Sequence, residues 1–222
     1  MRQIILDTET SGLDYENDRI IEVAGLELIE GVYSGKKFHK YYKPDDLIIK
    51  HEAEQIHGLN NTFLSEFPTF DQNIDDFLSF FSDSELIIHN AQFDLSMINS
   101  SLKRLGKPKI SRELTKCTLE MAKKRFPGSK NNLNALCRRF EISLESRKKH
   151  GALTDTFLLL QVYTELLGGK QQILNLSVTG IEEKEIPRKP ILKDFPVVRL
   201  TELEVSSHRE MLKKIKKNIW TH

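Results

Sequence analysis

Cysteine, tryptophan, long apolar runs and net charge are all scarce in this chain, and each shortage removes a class of protein. The two cysteines, Cys117 and Cys137, lack the spacing of a metal site, and one possible pair makes no disulfide framework. Both read as reduced, partly buried thiols. No stretch reaches the ~20 apolar residues of a membrane-crossing helix, which excludes a spanning protein and a membrane partner. The opening MRQIILDTET sets one Arg before a short apolar run that carboxylates break at once. That is unlike a secretory signal, so the expected location is the cytoplasm. A net charge of +1 is too small to grip nucleic acid by bulk electrostatics, leaving that work to local charge. From residue 178 onward ten Lys and Arg face seven Asp and Glu, whereas residues 1–177 hold 23 basic and 25 acidic side chains. A mildly acidic body suits a nucleic-acid enzyme whose carboxylates gather at a metal site, because bound divalent cations reverse the local charge.

What is present fits one ordinary domain and an appendage: 222 residues, 39% hydrophobic, are enough for a substantial core. QIILD, then IIEVAGLELIE, then KKFHKYYKP are β-prone runs that predict three neighbouring strands with an antiparallel start. Phe70, Ile74, Phe77, Leu78 and Phe81 recur at helical spacing over residues 70–81. ELIIH at 85–89 reads as a buried strand. FDLSMINSSLKRLG then carries a helical stripe that stops at Gly106 and Pro108, and LTKC suits another strand. Further helices fit residues 132–140 and 152–167. Strands first, then alternating helices and strands, imply an α/β domain with a mixed sheet flanked by helices. After Gly168 and Gly169, the prolines at 187, 190 and 196 sit among charged residues as a linker, and residues 201–217 resume as a helix.

Three short segments carry chemistry. Asp7 and Glu9 stand two apart at the end of the first strand, so in extended geometry their carboxylates face the same way as a metal-ligand pair. Asp-x-Glu is also common in solvated turns; what favours a ligand pair is the place, directly after a buried strand where α/β sheets open into a crevice. In HNAQFD a strand ends and a helix begins with Asp94 near its first turn, where an Asp also suits a helix N-terminus. In HGALTD, five positions separate His150 and Asp155 by roughly 140° on a regular helix. They do not share a helical face, so His150 belongs on the loop before the helix and Asp155 inside it. The competing reading of His150 is an exposed histidine beside Lys148 and Lys149. Four carboxylates suit hard cations, and a histidine titrating near ~6.5 suits a general base at neutral pH, with hydrogen bonding to a bound substrate as its other role.

In this order the segments resemble the three motifs of the DnaQ-like exonucleases of the histidine-containing DEDD type. HEAEQIHG at 51–58 is similar to the family segment that contacts the terminal nucleotide, and FPGSKNNLNALCRRFEI at 126–142 to the stretch before the third motif. The likeness is greatest to the proofreading branch that serves bacterial DNA polymerase III, over residues 1 to about 170 and more loosely in the tail. It implies a ribonuclease H-like mixed five-stranded sheet flanked by helices, and 3′–5′ hydrolysis at a single-stranded or mispaired DNA end. It implies two divalent cations, Mg²⁺ or Mn²⁺, on Asp7, Glu9, Asp94 and Asp155, with His150 as base. Substrate contacts fall to Asp7, Thr8, Glu9, Glu52, His57 and Asp155.

The resemblance further divides the chain into an exonuclease domain at 1–170, a linker at 171–200 and a tail at 201–222 that binds the polymerase alpha subunit. QQILNL at the start of the linker resembles sliding-clamp peptides, with Gln171, Leu174 and Leu176 as contacts and a chance pattern as the alternative. A small theta-like subunit is a further implied partner. Two other functions compete. An RNA exonuclease of RNase T or oligoribonuclease type uses the same five side chains but lacks the tail; a catalytically silent polymerase-binding module would not need all five.

Overall fold

The computed structural model describes residues 1–145, 147, 149–169 and 201–214. The chain divides into two units, residues 1–174 and 175–222. The first holds strands β1 (Arg2–Thr10), β2 (Ile20–Ile29), β3 (Val32–Tyr41), β4 (Glu85–Ile88) and β5 (Thr115–Cys117). Its helices are α1 (His51–His57), α2 (Asn61–Leu64), α3 (Ile74–Phe81), α4 (Ala91–Arg104), α5 (Thr118–Arg125), α6 (Leu133–Arg139) and α7 (Ala152–Leu166). In the second unit α8 covers Glu202–Lys214. Among the described residues no helix is long and apolar enough to cross a membrane.

One five-stranded sheet runs in the order β3-β2-β1-β4-β5. The first three strands form the predicted antiparallel start, while β4 and β5 join parallel to β1, so the sheet is mixed. This is the expected ribonuclease H-like arrangement. Alternation along β1 explains the layers: Ile4 and Leu6 enter a core with Phe77, Ile98 and Leu102, and Ile5 enters another with Leu136, Leu159 and Val162. With both faces covered, β1 and β4 carry unbroken apolar runs at residues 4–6 and 86–88 through their middles, as buried parallel strands do.

Sequence periodicity located most elements but missed three. The segment at 70–81 is a 3₁₀ turn at Asp71–Asn73 followed by α3, because Phe70 turns inward ahead of the helix proper. Helices α1 and α2, placed between β3 and the 3₁₀ turn, bury only His57 and Leu64, too little to mark an apolar stripe. Helix α5 likewise buries only Thr118 and Ala122. Cys117 and Cys137 are free thiols, Cys137 wholly buried and Cys117 7% exposed. The linker and the peptide with Gln171, Leu174 and Leu176 lie outside the described residues.

A close approach in the sheet gives a direct test of the packing. Phe77 and Phe81 stack with centroids 4.4 Å apart, and an alanine Cβ at Gly25 would stand 2.6 Å from the Phe81 ring. Overpacking of this kind costs about 1–3 kcal/mol. Gly25→Ala should therefore lower the unfolding free energy by that amount, seen as a lower denaturant midpoint with an unchanged slope, and an unchanged midpoint would contradict the packing described.

Candidate active site

The site forms where β1 and β4 end side by side. Asp7 and Glu9 alternate with buried Thr8 and Thr10, so the two carboxylates share a face, as expected of an extended strand. Strand β4 stops at Ile88, and Asn90 takes a left-handed turn at φ 65° that starts α4, a conformation Asn tolerates better than most residues. Asp94 follows in the first turn, 4% exposed, accepting a hydrogen bond from the Thr8 hydroxyl at 2.8 Å. Helix α7 packs on β1 and β2 from the other face and carries Asp155 in its first turn. His150 precedes its N-cap, Gly151, and the His150 amide donates to the Ile56 carbonyl at 3.1 Å, tying the histidine loop to α1. Histidine on the loop and aspartate in the helix is the arrangement the five-residue spacing required.

The structure brings Glu9, His150 and Asp155 together: their ligand atoms all lie within 4.8 Å of one another. Asp7 and Asp94 border this group electrostatically. Burial, then Asp94, Glu9, Asp155 and Glu22, hold the Asp7 carboxyl well above its ordinary range. Burial and the neighbouring Glu22 and Asp155 push Glu9 up to about 8, and burial raises Asp94 to about 7 despite the Thr8 hydrogen bond. These groups resist ionising side by side without a cation. That, with an all-oxygen and imidazole donor set, fits a hard divalent ion held by Asp7, Glu9, Asp94 and Asp155.

Two hollows flank the cluster. One of about 500 Å³ is mostly apolar, with Leu13, Ala53, Ile56 and Phe93 in its wall and Thr8, Glu9, Glu52, His57 and His150 at its polar edge. Glu52 is exposed there, whereas His57 is 6% exposed. His57 Nδ1 accepts from the Leu59 amide at 3.0 Å, so the neutral ring carries its proton on Nε2, which is buried without a partner. Gly58, at φ 78°, makes the left-handed cap that ends α1 just after it. The second hollow, about 480 Å³, is polar and is shared by Asp7, His89, Asn134, Arg147, His150 and Asp155. A wider groove of about 750 Å³ along α4 contains none of the predicted residues.

Sequence reasoning missed several neighbours. Glu22 lies opposite Glu9 on β2, 3% exposed and 2.8 Å from His39 Nε2, and a strand-pairing register was needed to find it. His89, the first residue of HNAQFD, is held by burial at a pKa of about 4 and meets the Thr118 hydroxyl at 2.9 Å. Arg147 donates through Nε to Asp155 at 2.6 Å and through an Nη to His150 Nδ1 at 3.0 Å. It stands in SRKKH, which looks like a solvated charge run; proximity to His150 was the available signal.

The sequence and the fold agree on the class of protein. The chain belongs to the RNase T exonuclease family, whose pattern matches residues 4–163, a family with metal-dependent chemistry. Within it, the chain is 40% identical to DNA polymerase III subunit epsilon of Rickettsia felis over 225 residues, covering 98% of each protein. It is 36% identical to the same subunit of Escherichia coli K12, covering 97% of this chain and 94% of that one. Exonuclease X bound to 5′-overhanging duplex DNA superposes with a TM-score of 0.58 at 25% identity, over 74% of this chain and 90% of its own. Escherichia coli exonuclease I bound to single-stranded DNA gives 0.66 at 17% identity, over 77% and 41%, a likeness of fold alone.

The raised carboxylates set the pH dependence of the metal-free protein. A folded pKa near 8 for Glu9 and near 7 for Asp94 means the native state binds protons that the unfolded chain, titrating near ~4, has released. Their contribution is therefore fully present in acid and lost as pH rises through 7 to 8. His57, His89 and His150, whose pKa values burial lowers, act in the opposite sense, but chiefly at and below the ordinary histidine range near ~6.5. In EDTA the melting temperature should fall between pH 6.5 and 8.5, and Mn²⁺ should flatten that slope. A melting temperature that is flat in EDTA would refute the crowded-carboxylate picture.

Proposed function

We propose that this chain is the 3′–5′ proofreading exonuclease of a bacterial DNA polymerase III, working in the cytoplasm. It removes nucleotides one at a time from single-stranded or mispaired 3′ ends of DNA. The observation that carries the reading is a cluster of carboxylates and a histidine at the carboxyl ends of β1 and β4, opening beside an apolar hollow of about 500 Å³. A cavity of that size and character accepts one nucleoside, and the cluster at its edge stands where the adjoining phosphodiester would lie.

Asp7, Glu9, Asp94 and Asp155 are assigned to two divalent cations, Mg²⁺ or Mn²⁺. When bound, such a pair stabilises the attacking and leaving oxygens of an in-line displacement. His150 is assigned the proton of the attacking water. Burial, then Arg147, lower its pKa and keep the ring neutral at pH 7, which a base requires. His57, with its unpartnered Nε2–H, is suited to donate to a sugar or phosphate oxygen of the terminal nucleotide, and Glu52 to accept from a hydroxyl. Thr8 acts in part through Asp94, whose carboxylate it orients.

The tail at 201–222 is assigned to the polymerase alpha subunit. Helix α8 exposes Leu203 at 78% and Met211 at 52%, apolar surface that a partner groove would cover. Tethering makes capture of a frayed primer end intramolecular, so the exonuclease itself need not bind DNA tightly. The clamp peptide at Gln171, Leu174 and Leu176 and a theta-like partner rest on resemblance alone.

Three sets of variants test these assignments. Asp7→Ala and Glu9→Ala should each abolish hydrolysis of a single-stranded oligonucleotide while keeping a cooperative melt in EDTA; His150→Gln should lower kcat by ~10²- to 10⁴-fold with DNA binding in Ca²⁺ retained. Near-normal turnover in the carboxylate variants would remove them from the site. Truncation after residue 180 should leave hydrolysis of free oligonucleotides nearly unchanged and eliminate coelution with the polymerase subunit. Continued coelution would place the tether elsewhere.

A further inference from the structure

We infer that Arg147 is a built-in counter-cation that holds Asp155 and His150 closed in the metal-free protein, and that it must release them before a divalent cation is bound. The inference rests on the metal reading given above.

Arg147 belongs to the irregular stretch between α6 and α7, yet its side chain and that of Asp155 are each only 5% exposed. Its planar fork engages both oxygens of one carboxylate: Nε donates to Oδ1 at 2.6 Å and Nη2 to Oδ2. The same Nη2 donates to His150 Nδ1 at 3.0 Å, and Nη1 donates to the Asn134 side-chain oxygen. Four donated contacts thus tie one guanidinium to this small cluster.

The two residues it holds are two of the three whose ligand atoms lie within 4.8 Å of one another. A cation reaching Asp155 among those atoms would meet a guanidinium on the same carboxylate, in a site shielded from water where like charges repel strongly. Arginine keeps its proton at any working pH, so relief requires movement rather than deprotonation. The hollow of about 480 Å³ that Arg147 shares with His89 and Asn134 gives the side chain room to move.

His150 is closed by the same contact. Arginine only donates, so Nδ1 is accepting, and the neutral ring carries its proton on Nε2. No ring nitrogen is then free to take a proton from water. Withdrawal of one side chain therefore frees a carboxylate ligand and the accepting nitrogen of the proposed base together, which couples cation binding to readiness for the proton transfer.

Calorimetric titration of Mn²⁺ into the full-length chain decides the matter, with circular dichroism to establish folding. Arg147→Met should bind Mn²⁺ at least tenfold tighter than the unmodified protein. Asn134→Ala removes one anchor of the guanidinium while keeping its charge, and should tighten binding by a smaller factor in the same direction. A folded Arg147→Met protein whose affinity is unchanged or weaker overturns the inference and leaves the metal reading standing. If that variant does not fold, Asn134→Ala decides alone, and no tightening there overturns the inference equally. An unmodified protein that takes up no Mn²⁺ overturns the metal reading itself.

Discussion

Repulsion among Asp7, Glu9, Asp94 and Asp155 is the constraint around which this fold is arranged, because a protein does not ordinarily bury like charges at the end of its central strands. Two of the groups stand on β1 itself, and the others arrive from opposite layers, Asp94 on α4 and Asp155 on α7. Convergence of that kind needs a strand covered on both faces. The apolar residues before Asp7 supply it, alternating between two separate cores. The destabilised ends of β1 and β4 are held by cores that are otherwise free of such conflict, so local strain is tolerated where function requires it.

The site contains partial answers to that repulsion, each of a different kind. Asp94 accepts a hydroxyl hydrogen bond from Thr8, which favours its charged form but does not overcome burial. Glu22 is matched with His39 on the neighbouring strand. Asp155 has the strongest relief, a paired guanidinium. Glu9 and Asp7 have no such partner among the described residues and carry most of the unrelieved burden. Cation binding is thus favoured by the fold before any substrate is present, because the groups that need charge compensation are already assembled.

Much of this was legible in the sequence, for identifiable reasons. A period of two fixes the relative direction of Asp7 and Glu9 in any extended strand, and a period near 3.6 separates His150 from Asp155; neither inference depends on tertiary context. The strand-to-helix junction at HNAQFD placed Asp94 for the same reason. Contacts that depend on strand pairing or on a loop folding back escaped. Glu22 becomes a neighbour of Glu9 only through antiparallel register, and Arg147 reaches Asp155 only because the segment before α7 turns inward. Helices α1 and α5 escaped differently: they bury one and two side chains, so no apolar stripe announces them.

His150 joins the two sides of the site. It borders the apolar hollow with His57 and the polar hollow with Arg147, and its backbone amide is fastened to the carbonyl of Ile56 on α1. A nucleoside seated in the apolar hollow would press on α1 through Ala53 and Ile56, the same helix that anchors the histidine loop. In the metal-free protein the guanidinium holds the ring on one side while the backbone bond to α1 holds its loop on the other, so a residue outside any helix or strand is still accurately placed.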